Sequence, residues 1–250
     1  MIDVHIMERK DFVNDKLSLI QETDGLTFGT DALLLAGYIC GKYKRGCEFG
    51  SGSGIISMLL LTREKVAEAV ALEVQEEYAI LTKRNAELNG LDGKMQTVHS
   101  DIRDYKPDGE FDIIYTNPPY MKIDSGKKNT IEKKNIARHE VCGDIYDFCS
   151  SATKMLKFGG CFAAVYRPDR LIDLIGAMRA AKLEPKRMTL VYADTESEPS
   201  MALIEGKSGG KCGLLVTKPL FIYRDRSHTE YTDDMNYIME NGSFPSAFKR

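Results

Sequence analysis

In the first two thirds of this 250-residue chain, short apolar runs alternate with stretches of helical periodicity. In the last third, strand-like runs recur with little helix between them, and a glycine loop follows the first of the alternating strands. These observations predict an α/β fold: a Rossmann-like, doubly wound, seven-stranded and mostly parallel sheet with an antiparallel edge strand. Hydrophobic content of 43% and charged content of 28% are ordinary globular values, so one such domain with a small appendage fits the length. We expect residues 1–45 to form a lead-in packed on the core, 46–225 the core domain, and 226–250 a tail with a short helix.

Taken in order, residues 18–21 read as a short strand and Asp24-Gly25 as a turn. Thr30 or Asp31 is expected to cap a helix running from Ala32 to about Ile39, which Gly41 ends. A short strand then enters Gly50-Ser51-Gly52-Ser53-Gly54, and a helix leaves it over about 53–61. Val70 to Glu73 is the next strand. Val74, Tyr78, Leu81 and Leu88 follow at helical spacing, with Glu76 and Glu77 in the first turn. Strands are expected at 95–99 and 111–115, then a stretch of 23 residues (121–143) without periodicity. Loops that long inside a compact domain are usually lids or binding segments. Helix resumes over 144–156, Phe158-Gly159-Gly160 is read as a turn, and 161–166 as a strand. A helix over 171–181 precedes strand-like runs at 187–193, 201–205 and 213–217. Thr232 caps a short terminal helix, and the tail is expected to fray near Gly242.

Several functional classes are excluded on these grounds. The longest apolar runs, 32–40 and 54–61, stop far short of a membrane span, and the first residues lack the order of a signal peptide, which predicts a cytoplasmic protein. Six cysteines without C-x-x-C spacing read as reduced thiols, and no Cys/His cluster has zinc-site spacing. Asn241-Gly242-Ser243 is a chance sequon. His139-Glu140 lacks a histidine at 143, and Gly206-Lys207-Ser208 lacks the first glycine of a phosphate loop, since Met201 stands there. No metal is therefore expected. With a net charge of −3, any polynucleotide site must be local.

Two stretches carry chemistry. Asn117-Pro118-Pro119-Tyr120 follows an apolar strand, and its prolines stiffen the backbone and extend the residue before each. A side-chain amide oxygen, a backbone carbonyl and an aromatic face then share one short loop. That set can accept both hydrogens of an –NH2 group and stack on the planar system bearing it. The glycine loop permits close backbone approach at the head of a helix. Ile55 stands where a dinucleotide fingerprint needs glycine, so a nucleoside without pyrophosphate suits Glu48-x-Gly50-x-Gly52-x-Gly54 better. Glu73, 19 residues past Gly54, can accept from two ribose hydroxyls, and Asp101 from an adenine amine.

In this order the motifs resemble class I S-adenosylmethionine-dependent methyltransferases, in the branch that modifies exocyclic or amide nitrogens. Three further stretches, 28–36, 137–140 and 218–223, make the chain similar to the bacterial tRNA1(Val) (adenine(37)-N6)-methyltransferase family over roughly residues 18–225. The resemblance implies S-adenosyl-L-methionine as cofactor, S-adenosyl-L-homocysteine as product and tRNA as partner. It implies that Gly50, Gly52 and Gly54 line the cofactor, that Glu73, with Val74, holds its ribose, and that Asp101 with Ile102 borders its adenine. Thr30 and Asp31 would close the methionine end.

On that basis Asn117 and Pro118 accept the hydrogens of an adenine amine, with Pro119 and Tyr120 completing the catalytic loop and Tyr120 and Phe28 stacking on the base. Lys122, Lys127, Lys128, Lys133, Lys134 and Arg138, against only Asp124 and Glu132, can meet RNA phosphates. Three alternatives use the same features: a protein glutamine-N5 methyltransferase, an rRNA guanine-N2 methyltransferase, and a non-catalytic RNA-binding module of the same fold. The short lead-in and the lysines favour RNA over a protein acceptor, and the intact Asn117–Tyr120 loop favours an enzyme.

Overall fold

The computed structural model describes residues 8–22, 29–118 and 143–249. A hairpin of β1 (Glu8–Asn14) and β2 (Leu17–Glu22) precedes helix α1 (Thr30–Tyr38). Strand β3 (Tyr43–Phe49), α2 (Ile55–Thr62), β4 (Val66–Glu73), α3 (Glu76–Leu88), β5 (Met95–His99) and β6 (Phe111–Thr116) follow in alternation. The third described stretch opens with α4 (Ile145–Met155), β7 (Leu156–Tyr166), α5 (Leu171–Ala180), β8 (Leu183–Tyr192) and β9 (Pro199–Ser208). Two-residue strands β10 (Leu215–Val216) and β11 (Leu220–Phe221) and helix α6 (Asp233–Asn241) follow, with short 3-10 turns at Pro168–Arg170 and Ser246–Phe248.

The main sheet runs β10-β8-β9-β7-β6-β3-β4-β5, with β11 also beside β8. Among the described residues it therefore holds nine strands rather than seven, because β10 and β11 each add a two-residue strand against β8. The antiparallel strand is β9, which lies between β7 and β8 rather than at the edge. Alternation of side chains splits the core by face. Ala69, Ala71, Ile113, Tyr115, Ala163 and Val165 pack with α1 and α2, whereas Val70, Leu72, Ile114, Phe162 and Ala164 pack with α4 and α5.

Three local expectations are corrected. Helix α1 begins at Thr30 with Gly29 as its N-cap, so neither Thr30 nor Asp31 serves as the cap. Phe158-Gly159-Gly160 does not turn the chain: these residues lie within β7, where Gly159 (φ 77°) and a register shift against β6 mark a bulge. The tail past Gly242 is docked, not frayed. Phe244 and Phe248 are fully buried, with Phe244 edge-on to Tyr38 at 5.2 Å, and Arg187 donates to the Phe248 carbonyl at 2.9 Å. Burial of two phenylalanines outweighs the terminal position.

The outer edge of β2 is closed by side chains. Asn85 accepts from Ile20 N (2.7 Å) and donates to Ile20 O (3.1 Å); Asn89 does the same with Ser18 (3.0 and 2.8 Å). Four residues of helix rise about 6 Å and two residues of strand about 6.6 Å, so the two amides meet alternate residues of the edge. Asn85 also donates to Ser53 O at 3.1 Å, which ties the hairpin to the glycine loop.

Candidate functional site

The chain order reverses at β3, whose neighbours are β4 on one side and β6 on the other, and open α/β sheets bind ligands at such a reversal. Phe49 is level with Leu72 on β4 and with Thr116 on β6, and Glu73 is level with His99 on β5. Asn117, Gly50, Glu73 and His99 therefore form one row at the carboxyl edge. Thr116 Oγ1 donates to Phe49 O at 2.9 Å and locks β6 to β3 where both strands end.

Gly50, Gly52 and Gly54 have φ of 67°, 55° and 80°, in the left-handed region that favours glycine. Their surroundings differ. A Cβ at Gly50 or Gly52 would meet no atom within 4 Å, whereas one at Gly54 would lie 2.9 Å from both Met95 Cε and Thr82 Cγ2. The first two glycines thus face open space, and the third makes room for α3 and β5. The loop is stapled by Ser51 N to Leu72 O (3.0 Å), Gly52 N to a Glu73 oxygen (2.9 Å) and Thr82 Oγ1 to Gly52 O (2.8 Å).

Glu48 lies beneath this loop, 1% exposed. One of its oxygens accepts from Ser57 N (2.9 Å) and Ser57 Oγ (2.5 Å), and Ser57 Oγ lies 2.8 Å from Tyr115 Oη. Burial pushes its carboxyl up to about 8 against the opposing bonds from Ser57. The structure thus gives Glu48 a contact that sets the first turn of α2.

Glu73 is 5% exposed, and its second oxygen accepts from Gln75 N at 3.0 Å. A carboxylate offers about four acceptor positions, so these two amides leave capacity for hydroxyl donors. Val74, half-buried, is joined through its carbonyl to His99 Nε2 at 3.0 Å. Asp101 accepts from Arg103 N (2.8 Å) and Arg103 Nε (2.9 and 3.0 Å), and the guanidinium holds its carboxyl below the usual range. Arg103 also lies 3.7 Å from Asp147, at the start of α4. Ile102 is buried with Val98 and Tyr105 against the β4–β6 face.

Asn117 donates from Nδ2 to Asp31 Oδ2 at 2.8 Å, across 86 positions of sequence. Asp31 in turn accepts from Ala32 N with Oδ1 at 2.9 Å. Thr30 is half-buried beside it in the same first turn of α1, and Pro118 is buried. Phe28, Pro119, Tyr120, Lys122, Lys127, Lys128, Lys133, Lys134 and Arg138 lie outside the described residues, as does most of the 121–143 stretch. The structure thus brings Asp31, Gly50, Gly52, Glu73 and Asn117 to one edge. It adds Thr82, Asn85, Ser57, Tyr115, Arg103 and Gly29, which motif reading missed. Thr82, Asn85 and Asn89 carry a faint signal: polar residues on the side of α3 that also presents Tyr78, Leu81 and Ala86 to the core.

Among the described residues, no group of three or more His, Cys, Asp or Glu side chains could hold a metal, and no helix is long and apolar enough to cross a membrane.

Comparison with known proteins accords with this arrangement. The chain is 34% identical over 116 residues to the tRNA1(Val) (adenine(37)-N6)-methyltransferase of Pedobacter heparinus, an alignment covering 46% of this chain and 48% of that one. It thus spans about half the length of that relative. The enzyme of the same name from Flavobacteriaceae bacterium strain 3519-10 is 23% identical over 85% of this chain and 90% of its own. That from Porphyromonas gingivalis is 27% identical over 71% and 72%. Among solved structures, a predicted O-methyltransferase from Agrobacterium tumefaciens superposes with a TM-score of 0.70 at 21% identity, covering 86% of this chain and 98% of that one. A Pyrococcus furiosus methyltransferase gives 0.58 at 18%, covering 78% and 90%. The profile of one family, described as the methyltransferase small domain, matches residues 23–168, more than half of the chain. The chain is a methyltransferase and belongs to the methyltransferase small-domain family.

Proposed function

We propose that the protein methylates the N6 amine of an adenine in tRNA, with S-adenosylmethionine as donor. The observation that carries this reading is the row at the carboxyl edge, in which Asn117 stands beside the open glycine loop and Glu73. The residues fit the donor: Gly50 and Gly52 leave space that any side chain would fill, and Glu73 offers a carboxylate for ribose hydroxyls, while Asp101, whose oxygens accept from Arg103, would meet an adenine amine only by sharing that contact. When bound, S-adenosylmethionine supplies a sulfonium methyl, whose transfer forms the N–C bond as the S–C bond breaks, leaving S-adenosylhomocysteine and one proton.

The chain's own part is to hold the amine. An adenine –NH2 delocalises its lone pair into the ring and is a poor nucleophile. Acceptance of its two hydrogens by the Asn117 side-chain oxygen and the Pro118 carbonyl draws the nitrogen towards tetrahedral geometry and stabilises developing positive charge. No strong base is required, because the methylated aminium is far more acidic than the amine. The relatives named for tRNA adenine-N6 methylation support RNA over protein as acceptor. The proposed stacking by Tyr120 and phosphate contacts by Lys127, Lys128, Lys133 and Lys134 belong to the same reading.

Incubation with labelled donor and unmodified bulk tRNA, rRNA or release factor tests it. The expected product is N6-methyladenosine from tRNA, lost in Asn117→Ala; label in protein alone overturns the reading. Neutralising the four lysines should raise the KM for RNA and flatten its salt dependence.

A further inference from the structure

We infer that Asp31 is a positioning residue that fixes which end of the Asn117 amide faces the acceptor, and thereby selects bases that present N–H over bases that present a carbonyl. The inference rests on the function proposed above. An asparagine amide has one face that donates and one that accepts, and rotation by half a turn exchanges them. In an isolated loop the two orientations are close in energy, and only one of them can receive a hydrogen from an amine.

The surroundings remove that freedom. Asn117 Nδ2 donates to Asp31 Oδ2 at 2.8 Å. An ionised carboxylate only accepts, so the reversed amide would set oxygen against oxygen. The carboxylate is itself held, since its other oxygen accepts from Ala32 N at 2.9 Å in the first turn of α1, where a negative charge is favoured. Gly29 is part of the device. Its φ of −113° is open to any residue, yet a Cβ there would come within 2.7 Å of Asp31 Oδ1. Glycine at 29 leaves the carboxylate room to fold over the helix start and reach Asn117. No side chain of the cap residue competes for the amides of that turn. With nitrogen committed to Asp31, the amide oxygen is turned away from it, in the orientation an –NH2 group needs.

The contrast between adenine and hypoxanthine reads this out, because the 6-position carries a donor in one and a carbonyl in the other. The probes are a tRNA anticodon stem-loop whose adenine the wild type methylates, and the same stem-loop with hypoxanthine at that base. Binding is measured by fluorescence anisotropy without any methyl donor. Wild type should prefer adenine by about tenfold or more, since a site built for one hydrogen-bond pattern rejects its opposite. Asp31→Ala should bring that preference close to unity, with a fall in kcat. Gly29→Ala should act in the same direction with the carboxylate retained. Asp31→Asn, whose oxygen would keep the Ala32 N–H and whose Nδ2 would then face Asn117, should lose the preference as Asp31→Ala does.

In the free protein, the Asn117 side-chain amide protons should exchange more slowly in wild type than in Asp31→Ala. If folded Asp31→Ala keeps the wild-type base preference, or its Asn117 amide exchanges as in wild type, the inference is overturned. If wild type methylates no RNA adenine, the proposed function fails, and the amide exchange still decides the Asp31 contact independently.

Discussion

Alanine placed in turn at Gly50, Gly52 and Gly54 separates two uses of glycine within one five-residue loop. All three have left-handed φ, so each substitution carries a backbone cost of about 1–2 kcal/mol. At Gly50 and Gly52 that is the whole cost to folding, because the new methyl would meet nothing within 4 Å. At Gly54 the methyl would lie 2.9 Å from Thr82 Cγ2 and Met95 Cε. Met95 can swing its terminal carbon away. Thr82 cannot move freely, because its hydroxyl holds Gly52 O at 2.8 Å and lies 3.1 Å from Ser51 Oγ. Overpacking of this kind costs a further 1–3 kcal/mol or so. Gly54→Ala should therefore lose about 2–5 kcal/mol and Gly52→Ala no more than about 2. Ligand binding should show the reverse bias. Gly52→Ala fills space the nucleoside is proposed to occupy and should weaken S-adenosylhomocysteine binding about tenfold or more. Urea unfolding and isothermal titration calorimetry measure the two quantities on the same samples. Equal stability of Gly54→Ala and Gly50→Ala would refute the packing argument, and unchanged affinity in Gly52→Ala would refute the close approach of the loop.

Glu48 makes a prediction about pH. Its folded value of about 8 lies above the ordinary 4.5, so between those values the unfolded chain releases a proton that the folded chain keeps. Stability should fall with rising pH across that window, by about 1.4 kcal/mol per unit from this group. Glu48→Gln should flatten the slope in urea midpoints; an equal slope would mean the group is ionised in the fold. Arg187 is 4% exposed, lies 2.7 Å from Glu205 and donates to Tyr38 O at 2.5 Å. Arg187→Ala should cost about 3–5 kcal/mol by stranding Glu205, and adding Glu205→Leu should recover part of it. If the double variant is no more stable than the single, the stranded charge is not the cause. Asn85→Ala removes the partners of Ile20 N, Ile20 O and Ser53 O, and should cost about 2–4 kcal/mol by thermal or urea unfolding. A loss below 1 kcal/mol or so would show that water replaces the amide.

The central elements were legible in the sequence because their signals are short-range. Short apolar runs mark β4 to β7, period 3.6 marks α3, and the glycines between β3 and α2 announce a turn that few other residues adopt. Asn117, Glu73 and Asp101 could be assigned to one edge before any coordinates, because parallel strands joined by helices place their carboxyl ends together. Thr232 as the cap of α6 is likewise a local matter of backbone amides and a neighbouring oxygen.

What the tertiary structure decided depends on partners far apart in the chain. No local signal inserts β9 between β7 and β8, since the strand is equally able to pair at the edge until its neighbours are in register. Phe244 and Phe248 look like a polar tail's stray aromatics until Tyr38 and Arg187 surround them. Asn85 and Asn89 look like solvent-facing helix residues until a strand edge of matching spacing lies against them. Asp31, read first as a helix cap, acquired its contact only when α1 met the end of β6. Sequence by itself determined which stretches become strand, helix and loop, because those choices are made over a few residues. Tertiary structure decided which polar groups answer one another, because a buried hydrogen bond forms between whatever donors and acceptors the fold brings within 3 Å or so.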